Sequence, residues 1–459
     1  MSWELVLEHS ANIAEILAGI AIVYSVFKVV PTFTRLRNSE NDWSTELTKL
    51  QNSLSAHTEC HSLGDMGAAA LAIIETALAD ANSNIHIELK EFGEEIQGVI
   101  RFRKAGHLID IHCYDERMHG ALVEAFRQMA IMEGYRGRIK LADPTRVDGR
   151  GSIDLRVQVA PALIGEVFSL RVLDRESSKM PFETLGIHER GLTKLKQKLD
   201  SPRGLIICSG PTGSAKTVTL YTSLNSLDHN KRRIITVEDP VEIDLPTITQ
   251  LSCSDEPGKR MQDMFGVAMH MDPDVLMIGE IKDAMTANYC YRAATTGQLV
   301  MTTASTNSSV ETLTLLDNYL EDLFPRNILI VNQRLTRRLC QQCSTPMTLD
   351  DLDRQLIDNI CHSAQQNPDT LADKFLEPVG CEHCEDGYRR RLAGYEMMEV
   401  TPTILAAQRK DGAQTAHDQA VSEGMTPFSF DLLRKAAKGQ TTLAEINRVT
   451  DNIYAEHLV

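Results

Sequence analysis

A glycine-rich segment that ends in lysine and threonine is the part of this sequence best suited to chemistry. It follows the short apolar run Leu205–Cys208, which is long enough for one buried strand, and a helix-compatible stretch begins after it. Backbone N–H groups of such a loop and helix N-terminus bind phosphates. The lysine pairs with the β- and γ-phosphates, and the threonine hydroxyl holds Mg²⁺. The pattern therefore predicts a nucleotide-binding loop with these residues: Gly210, Pro211, Thr212, Gly213, Ser214, Ala215, Lys216 and Thr217.

Ala215 departs from the pattern G-x-x-x-x-G-K-[ST], which has glycine at this position. If the loop needs a positive φ there, the Cβ of alanine raises the energy of the folded loop. A surface turn that resembles the pattern by chance is the alternative interpretation. Three later motifs argue against it, because they occur where a nucleotide hydrolase needs them.

Two acidic motifs follow short apolar runs further along the chain. Val275–Glu280 ends in a carboxylate that could orient Mg²⁺ or polarise an attacking water, so Glu280 is a catalytic candidate. The motif TVEDPVE places Glu238 at the end of another run. We expect its strand to lie beside the strand that precedes the loop, which would bring Glu238 to the metal. A capped turn before Pro240 is the alternative, above all for Glu242.

Two arginines are expected to face each other across a hairpin nearer the N-terminus. Residues 154–160 and 166–173 alternate as the two strands of a hairpin do, and they contain Arg156 and Arg171. Most arginines in strands are surface charges. If this domain packed over the nucleotide, a guanidinium could stabilise the charge on the transferred phosphoryl group, which makes both arginines catalytic candidates.

Two C-x-x-C pairs are typical of a structural zinc site with four thiolate ligands. The insertion between the pairs is long, so we expect it to be helical and to bring the pairs together. Four free thiols are the alternative, and a histidine inside the second pair, His383, could compete as a ligand. The predicted ligands are Cys340, Cys343, Cys381 and Cys384.

Composition limits the class of protein. The 459 residues suffice for two or three domains, and 42% hydrophobic and 24% charged residues are those of a soluble globular protein. A net charge of −16 disfavours nucleic acid as the main partner. Glu4 and Glu8 occupy the place of the basic region of a cleavable signal, so we expect a reducing, cytosolic compartment.

Residues 1–37 contain the uncharged, mostly apolar stretch Ile16–Phe27. A helix over Ile13–Val30 would be about 27 Å long, slightly short for a bilayer core. Basic residues follow it, so a membrane span would place the rest of the chain in the cytoplasm. A helix buried against this protein or against a partner is the alternative.

Short apolar strands that alternate with helices after residue 182 predict a RecA-like α/β sheet. Ligands bind at the carboxyl ends of such strands, which places Glu238, Glu280 and the region Gln298–Asn307 near the phosphates. The expected segments are a hydrophobic N-terminal helix (1–37), a linker (38–60), an N-terminal α+β domain (61–175), a RecA-like P-loop ATPase core (182–338), a tetracysteine zinc module with an insertion (339–395) and a helical C-terminal region (396–459).

Taken together, the motifs resemble the secretion and pilus-assembly ATPases of the GspE/PilB type, which act in type II secretion and type IV pilus systems. The resemblance extends from about Ala81 to Thr450. It is carried by GPTGSAKTVTLY, TVEDPVE, DPDVLMIGEIKD, both C-x-x-C pairs, GYRRRLAGYEMMEV and EGMTPFSFDLLRKAAKGQTTLAEINRVT, and by NIHIE and DLRVQVAPALIGEVFSLRVLD in the first domain.

This resemblance implies a hexameric ATPase that uses ATP, Mg²⁺ and structural Zn²⁺ and drives a platform protein of the bacterial inner membrane, from the cytoplasmic face and without nucleic acid. It implies that Glu280 is the catalytic carboxylate and that Glu238 supports metal and water. It also implies that Arg156 and Arg171 reach the nucleotide from the N-terminal domain. A weakly nucleotide-binding, structural ring subunit of the same machine is the alternative.

Three departures from the family pattern concern the rate of hydrolysis and the mode of docking. Ala215 replaces a glycine. Where the family has TGHLVLSTLHTN, this chain has TGQLVMTTASTN, so Gln298 and Ser305 replace two histidines. We also expect the short N-terminal region to lack the family's usual extra partner-binding domain. These departures lead us to expect a slow ATPase, and one that remains active because Lys216, Thr217 and Glu280 are present.

Overall fold

The computed structural model describes residues 63–454, apart from 80–83, 105–106, 143–151, 174–180, 255, 322–323, 325–326 and 372–373. The chain divides into two compact units, one ending at Arg175 and the other beginning at Glu176. The expected N-terminal helix and linker, 1–37 and 38–60, lie outside the described residues. Within the described part of the chain, no helix combines the length and the apolar character needed to cross a bilayer.

The first unit contains a seven-stranded antiparallel sheet in the order β3-β2-β1-β7-β6-β5-β4. Its strands are β1 (Asn84–Phe92), β2 (Glu95–Lys104), β3 (His107–Asp115), β4 (Ile131–Glu133), β5 (Arg136–Ala142), β6 (Ser152–Pro161) and β7 (Glu166–Leu173). Its helices are α1 (Leu63–Ala79) and α2 (Glu116–Met129). The α+β character expected for this part of the chain is what the structure shows.

The core of this unit is formed by apolar side chains that alternate along the strands and by an apolar stripe along each helix. Ile85 and Ile87 point from β1 to the buried face, while their neighbours stay partly exposed. Ile73 and Ile74 of α1 and Phe126 of α2 are fully buried in the same cluster. The sheet is thus covered on one face by two helices.

The second unit is built on a seven-stranded sheet in the order β10-β9-β11-β12-β8-β13-β16. Its strands are β8 (Gly204–Ser209), β9 (Ile234–Glu238), β10 (Thr249–Ser252), β11 (Val275–Glu280), β12 (Leu299–Ala304), β13 (Ile328–Leu339) and β16 (Tyr388–Val400). All neighbours are parallel except β13 and β16. Every residue of β8 is buried, as expected for a strand covered on both faces.

Helices alternate with these strands and complete the α/β fold predicted from the sequence. They are α3 (Glu189–Asp200), α4 (Lys216–Asn225), α5 (Met261–His270), α6 (Ala284–Thr296) and α7 (Ser309–Leu320). The cluster of four cysteines follows β13, with β14 (Thr345–Pro346), helix α8 (Asp351–Ser363) and β15 (Leu376–Glu377) between its two pairs. The C-terminal helices are α9 (Pro402–Asp411), α10 (Ala413–Ser422), α11 (Phe428–Ala436) and α12 (Leu443–Tyr454).

The strand order corrects one expectation about the sheet. We expected the strand that ends at Glu238 to lie beside the strand before the phosphate loop. In the structure β9 pairs with β10 and β11, so β11 and β12 separate it from β8. Sequence alternation shows that strands are present, whereas their order depends on how each helical crossover packs on the sheet.

A second difference concerns the boundary of the cysteine-rich segment. Residues 388–395 were expected to belong to a separate zinc module. They form most of β16, which pairs along its length with β13 at the edge of the main sheet. The segment between the two C-x-x-C pairs is therefore an insertion into a long β-hairpin of the sheet itself.

Candidate nucleotide-binding site

The phosphate loop connects β8 to α4, as the sequence predicts. Gly210 begins the loop at a φ of 147°. A Cβ placed on Gly210 would lie 2.2 Å from the backbone carbonyl oxygen of Gln333, so only glycine fits there. Lys216 and Thr217 are half-buried in the first turn of α4. The loop and the helix N-terminus thus have the arrangement that binds phosphate.

Ala215 has a positive φ, which is the case in which its Cβ raises the energy of the folded loop. Its backbone lies at φ 69° and ψ 30°, in the left-handed region. For an L-residue with a Cβ this conformation costs about 1–2 kcal/mol. No side chain caps the start of α4 at Ala215, so the first N–H groups of the helix remain available to a ligand.

Lys216, Ser305 and Glu280 form a chain of hydrogen bonds at the end of the loop. Lys216 Nζ donates to the Ser305 Oγ at 3.1 Å and to the Gly210 carbonyl oxygen at 2.6 Å. Ser305 Oγ donates to Glu280 Oε1 at 2.5 Å. Burial lowers the pKa of Lys216, and the negative charges of Glu280 and Glu242 oppose this effect. The ammonium group of Lys216 and the carboxylate of Glu280 are therefore both hydrogen-bonded to the Ser305 hydroxyl.

Irregular backbone at the end of β11 accompanies this placement of Glu280. The pairing of β11 with β12 shifts register between Ile278 and Glu280, and Thr303 Oγ1 donates to the Gly279 carbonyl oxygen at 2.8 Å. Such an irregularity re-aims the side chain that follows it. Ser305 directly follows β12, whose last residue, Ala304, pairs with Ser209 of β8. Both strands thus end beside the phosphate loop.

Glu238 lies in a different environment from Glu280. It is 3% exposed, and its carboxylate accepts hydrogen bonds from the Tyr221 hydroxyl, from Thr236 Oγ1 at 2.6 Å and from Gln250 Nε2 at 3.1 Å. Burial raises the pKa of Glu238, while these three donors oppose the increase. Tyr221 belongs to α4, so the carboxylate links β9 to the helix that follows the phosphate loop.

The expected location of Gln298 is wrong. Gln298 precedes β12, and its carbonyl oxygen accepts from the backbone N–H of Gly204 at the start of β8. The length of β12 separates it from the phosphate loop, about 20 Å at the rise of a strand. Its side chain accepts from Thr296 Oγ1 at 2.7 Å. Because β8 and β12 are parallel, a residue before one strand cannot lie beside a loop after the other.

Arg156 and Arg171 are direct cross-strand partners on β6 and β7, as predicted. Arg156 is half-buried and Arg171 is exposed. Arg138 of β5 is the cross-strand partner of Arg156 on the opposite side of β6. The Arg138 Nε lies 3.6 Å from Asp154 Oδ1. Directly paired residues share a face of the sheet, so three arginines form a row across the first unit.

The four predicted cysteine ligands lie together. Their sulfurs are within 4.8 Å of one another, with separations of 4.0 Å for Cys340–Cys381, 3.6 Å for Cys343–Cys384 and 3.5 Å for Cys381–Cys384. A tetrahedral zinc with Zn–S bonds of about 2.3 Å needs sulfurs about 3.8 Å apart. The pKa of the Cys340 thiol is lowered to about 7 by the backbone N–H of Gln342, whereas the pKa values of Cys343 and Cys381 are raised, so Cys340 is the first of these three to become a thiolate. The donor set therefore fits zinc.

His383 does not join this group. It lies inside the second C-x-x-C pair, but its Nε2 is 3.5 Å from Glu382 Oε1. Cys340 is buried and the other three cysteines are partly buried, whereas the His383 side chain is 40% exposed. The geometry thus favours four sulfur ligands.

A comparison with protein families decides the affiliation of the chain. Residues 65–448 match the family described as Type II/IV secretion system protein. The chain belongs to this family. The resemblance inferred from the sequence motifs is thereby confirmed.

Several curated relatives of this secretion family are similar to the chain. The Type IV pilus assembly ATPase PilB of Pseudomonas aeruginosa is 36% identical over 384 residues, which are 82% of this chain and 65% of that protein. PilB of Acinetobacter baylyi is 38% identical over 323 residues, 68% of this chain and 54% of that protein. The Type II secretion system protein E of Pectobacterium carotovorum is 34% identical over 387 residues, 83% of this chain and 74% of that protein. The chain thus spans only about half to two thirds of the length of these pilus relatives.

Solved structures support the fold of this secretion family member. The ATPase DotB of Legionella pneumophila superposes with a TM-score of 0.56 at 18% identity, over 83% of this chain and 95% of that one. The pilus retraction motor PilT superposes with a TM-score of 0.52 at 20% identity, over 83% of this chain and 96% of that one. At these identities the likeness concerns the fold alone.

Sequence reasoning missed some residues of the site. Ser305 was predicted only as a residue that replaces a histidine of the family pattern, yet it bridges Lys216 and Glu280. A capped turn was the alternative interpretation for Glu242, and in the structure the charge of Glu242 opposes the decrease in the pKa of Lys216. Gln333, which contacts the phosphate loop, had one signal in the sequence, since the polar residues NQR follow directly on the apolar run ILIV in β13.

Proposed function

We propose that this protein hydrolyses ATP to power the assembly of a type IV pilus or of a type II secretion pseudopilus. One observation carries the proposal: Lys216 and Glu280 meet on the Ser305 hydroxyl beside a phosphate loop. Membership of the Type II/IV secretion family supports the biological role. The names of the relatives cover both secretion and pilus assembly, so the proposal includes both machines.

The chemistry follows from the positions of these side chains. Lys216 would exchange the Gly210 carbonyl oxygen for the β- and γ-phosphates of ATP, and Thr217 would hold Mg²⁺, which neutralises phosphate charge. Glu280, at the end of β11, would orient the attacking water. Glu238 would help to position the metal and the attacking water. Its hydrogen bond with the Tyr221 hydroxyl ties it to α4, the helix that follows the phosphate loop.

The arginines of the first unit would complete the site. Arg156 and Arg171 lie directly opposite each other and present two guanidinium groups on one face of the sheet. Such a pair would stabilise an anionic phosphate. This completion requires the first unit to approach a nucleotide site, as it would in a ring of six copies.

The proposed setting is the cytoplasmic face of the bacterial inner membrane. There the ring would drive a platform protein of the pilus or secretion machine. Residues 1–37 would attach the chain to the membrane or to a partner, because their apolar stretch is followed by basic residues.

Steady-state ATP hydrolysis by the full chain tests the activity. We expect Mg²⁺-dependent turnover that Lys216→Ala abolishes, because the loop then lacks the cation that pairs with the phosphates. Lys410→Ala is the matched control, since the Lys410 side chain is 82% exposed. If wild-type turnover equals that of Lys216→Ala, the motor proposal fails and a structural ring subunit remains.

Zinc content is a separate prediction. We propose that the four cysteine thiolates bind one structural zinc. Elemental analysis of reduced protein is expected to find about one zinc per chain, as one four-sulfur site holds. Cys381→Ser should lower this content, whereas Cys113→Ser, at an exposed cysteine outside the cluster, should leave it unchanged. Protein that is fully folded and zinc-free would contradict the proposal.

A further inference from the structure

A fully buried glutamine, Gln333, lies beside the phosphate loop. Gln333 belongs to β13, the neighbour of β8, and its exposed fraction is 0%. The preceding residue, Asn332, pairs with Ser209, the last residue before the loop. Gly210 packs against the backbone carbonyl of Gln333. The strand therefore touches the loop at its first residue.

The side chain of Gln333 contacts the loop at two further points. Its Nε2 donates to the Ser214 carbonyl oxygen at 2.7 Å, and its Oε1 accepts from Thr219 Oγ1 at 2.7 Å. The backbone N–H of Thr219 in turn donates to the Ala215 carbonyl oxygen at 3.2 Å. The carboxamide thus joins the residue just before Ala215 to the residue four positions after it.

The chemistry of these contacts requires a carboxamide. One end must donate to a carbonyl group while the other accepts from a hydroxyl, and a carboxamide combines both roles in one planar, uncharged group without a change of protonation. The contacts enclose the one loop residue with a Cβ in the left-handed region. A strained conformation persists when its surroundings over-determine it.

We propose that Gln333 is a positioning residue for nucleotide binding. By holding Ser214 and Thr219 together, it keeps Ala215 in the left-handed conformation and the phosphate loop in its binding shape. The inference rests on the proposed function, because nucleotide binding by this loop is what the contact would serve. Glycine adopts the left-handed conformation without strain, so a loop with glycine at 215 should need Gln333 less.

A double-mutant cycle on the full chain tests this coupling. The dissociation constant of a fluorescent ADP analogue is measured with and without Gln333→Met, in the wild-type and the Ala215→Gly backgrounds. We expect Gln333→Met to weaken binding at least about tenfold with Ala215 and at most about threefold in the Ala215→Gly background. Equal weakening in both backgrounds would overturn the proposal, because a general packing defect would act equally.

Three further variants serve as controls for this test. Gln197→Met, at an exposed glutamine of α3, controls for the substitution itself. If Gln333→Met does not fold, Thr219→Val removes only the hydroxyl contact, and Thr219→Ser restores it. Loss of affinity with valine and recovery with serine would support the proposal, and equal affinity of these two variants would overturn it.

Amide hydrogen exchange of residues 214–219 in nucleotide-free protein separates this inference from the proposed function. Gln333→Met should accelerate exchange there, and Ala215→Gly should reduce that acceleration. If wild-type protein binds no nucleotide, the proposed function fails. The exchange data would still show whether Gln333 stabilises residues 214–219. If exchange is unaffected by Gln333→Met, the positioning role is wrong whatever the activity.

Discussion

The backbone of Ala215 holds an L-residue in the left-handed region, at φ 69°, within the phosphate loop. Replacing it by glycine would remove strain of about 1–2 kcal/mol. We expect Ala215→Gly to tighten nucleotide binding by up to about tenfold and to raise turnover, since more of the protein would have a binding-competent loop. Isothermal titration with ADP checks the affinity. Unchanged or weaker binding would show that the loop has adapted fully to alanine.

Ser305 is the second residue whose identity matters at this scale. Ser305→Ala removes a hydroxyl that donates to Glu280 and accepts from Lys216. A hydrogen bond to a charged group contributes about 1.5–3 kcal/mol. We therefore expect kcat to fall at least about tenfold with little change in KM.

Gln298→His serves as the comparison for Ser305→Ala. It restores the other histidine of the family pattern, but the length of β12 separates its position from the loop. Steady-state kinetics should show turnover close to wild type. A large gain with Gln298→His, together with no loss in Ser305→Ala, would reverse the assignment of these two positions.

At the scale of elements, β13 connects the nucleotide site to the cysteine cluster. Asn332 Nδ2 donates to Ser209 Oγ at 3.0 Å, and Gln333 contacts the phosphate loop. The same strand ends at Leu339, next to the first cysteine ligand, Cys340. A rigid strand therefore spans the distance between the two sites.

Helix α11 docks on β16 through a buried ion pair. Asp431 is 1% exposed and accepts from Lys435 Nζ at 2.6 Å and from the backbone N–H of Tyr395 at 3.0 Å. Lys435 Nζ also donates to the Ala393 carbonyl oxygen at 2.6 Å, and burial lowers the pKa of Lys435. The ion pair and these backbone bonds fix the helix against the edge strand.

Asp431→Ala should destabilise the protein by about 3–5 kcal/mol, because it leaves the Lys435 ammonium buried without its partner. The midpoint of urea unfolding, followed by circular dichroism, measures the effect. Combining Asp431→Ala with Lys435→Met removes the isolated charge and should recover part of the loss. A single variant as stable as the wild type would show that the pair adds nothing to docking.

At the scale of the whole molecule, the arginine row and the phosphate loop belong to different units. We expect Arg156→Ala and Arg171→Ala each to lower turnover at least about tenfold. Nucleotide affinity should change less, because an arginine that acts on the transferred phosphoryl group contributes mainly in the transition state. Parallel measurements of kcat and ADP affinity check this.

Arg117→Ala is the matched control for these variants. Arg117 lies in the same unit on α2, and its side chain is 89% exposed. Its replacement should leave turnover at the wild-type level. If all three variants were equally active, the arginines would be surface charges of the sheet and the two units would not share a nucleotide site.

The sequence by itself determined the features that depend on local pattern. The phosphate loop, the facing of Arg156 and Arg171, and the helical insertion between the cysteine pairs were all predicted, because each follows from residue types at short spacing. Fold class followed from the alternation of strands and helices and was confirmed by the structure.

Only the tertiary structure shows which residues of different strands become neighbours in the sheet. The position of Glu238 depends on helical crossovers that no local pattern encodes, and these leave two strands between β9 and its expected neighbour β8. Gln298 and Ser305 are close in sequence, yet β12 lies between them and places them at opposite ends of that strand. The contact of Gln333 with Ser214 joins residues far apart in the chain. Such contacts form only when strands distant in sequence become neighbours, so their partners could not be predicted from residue spacing.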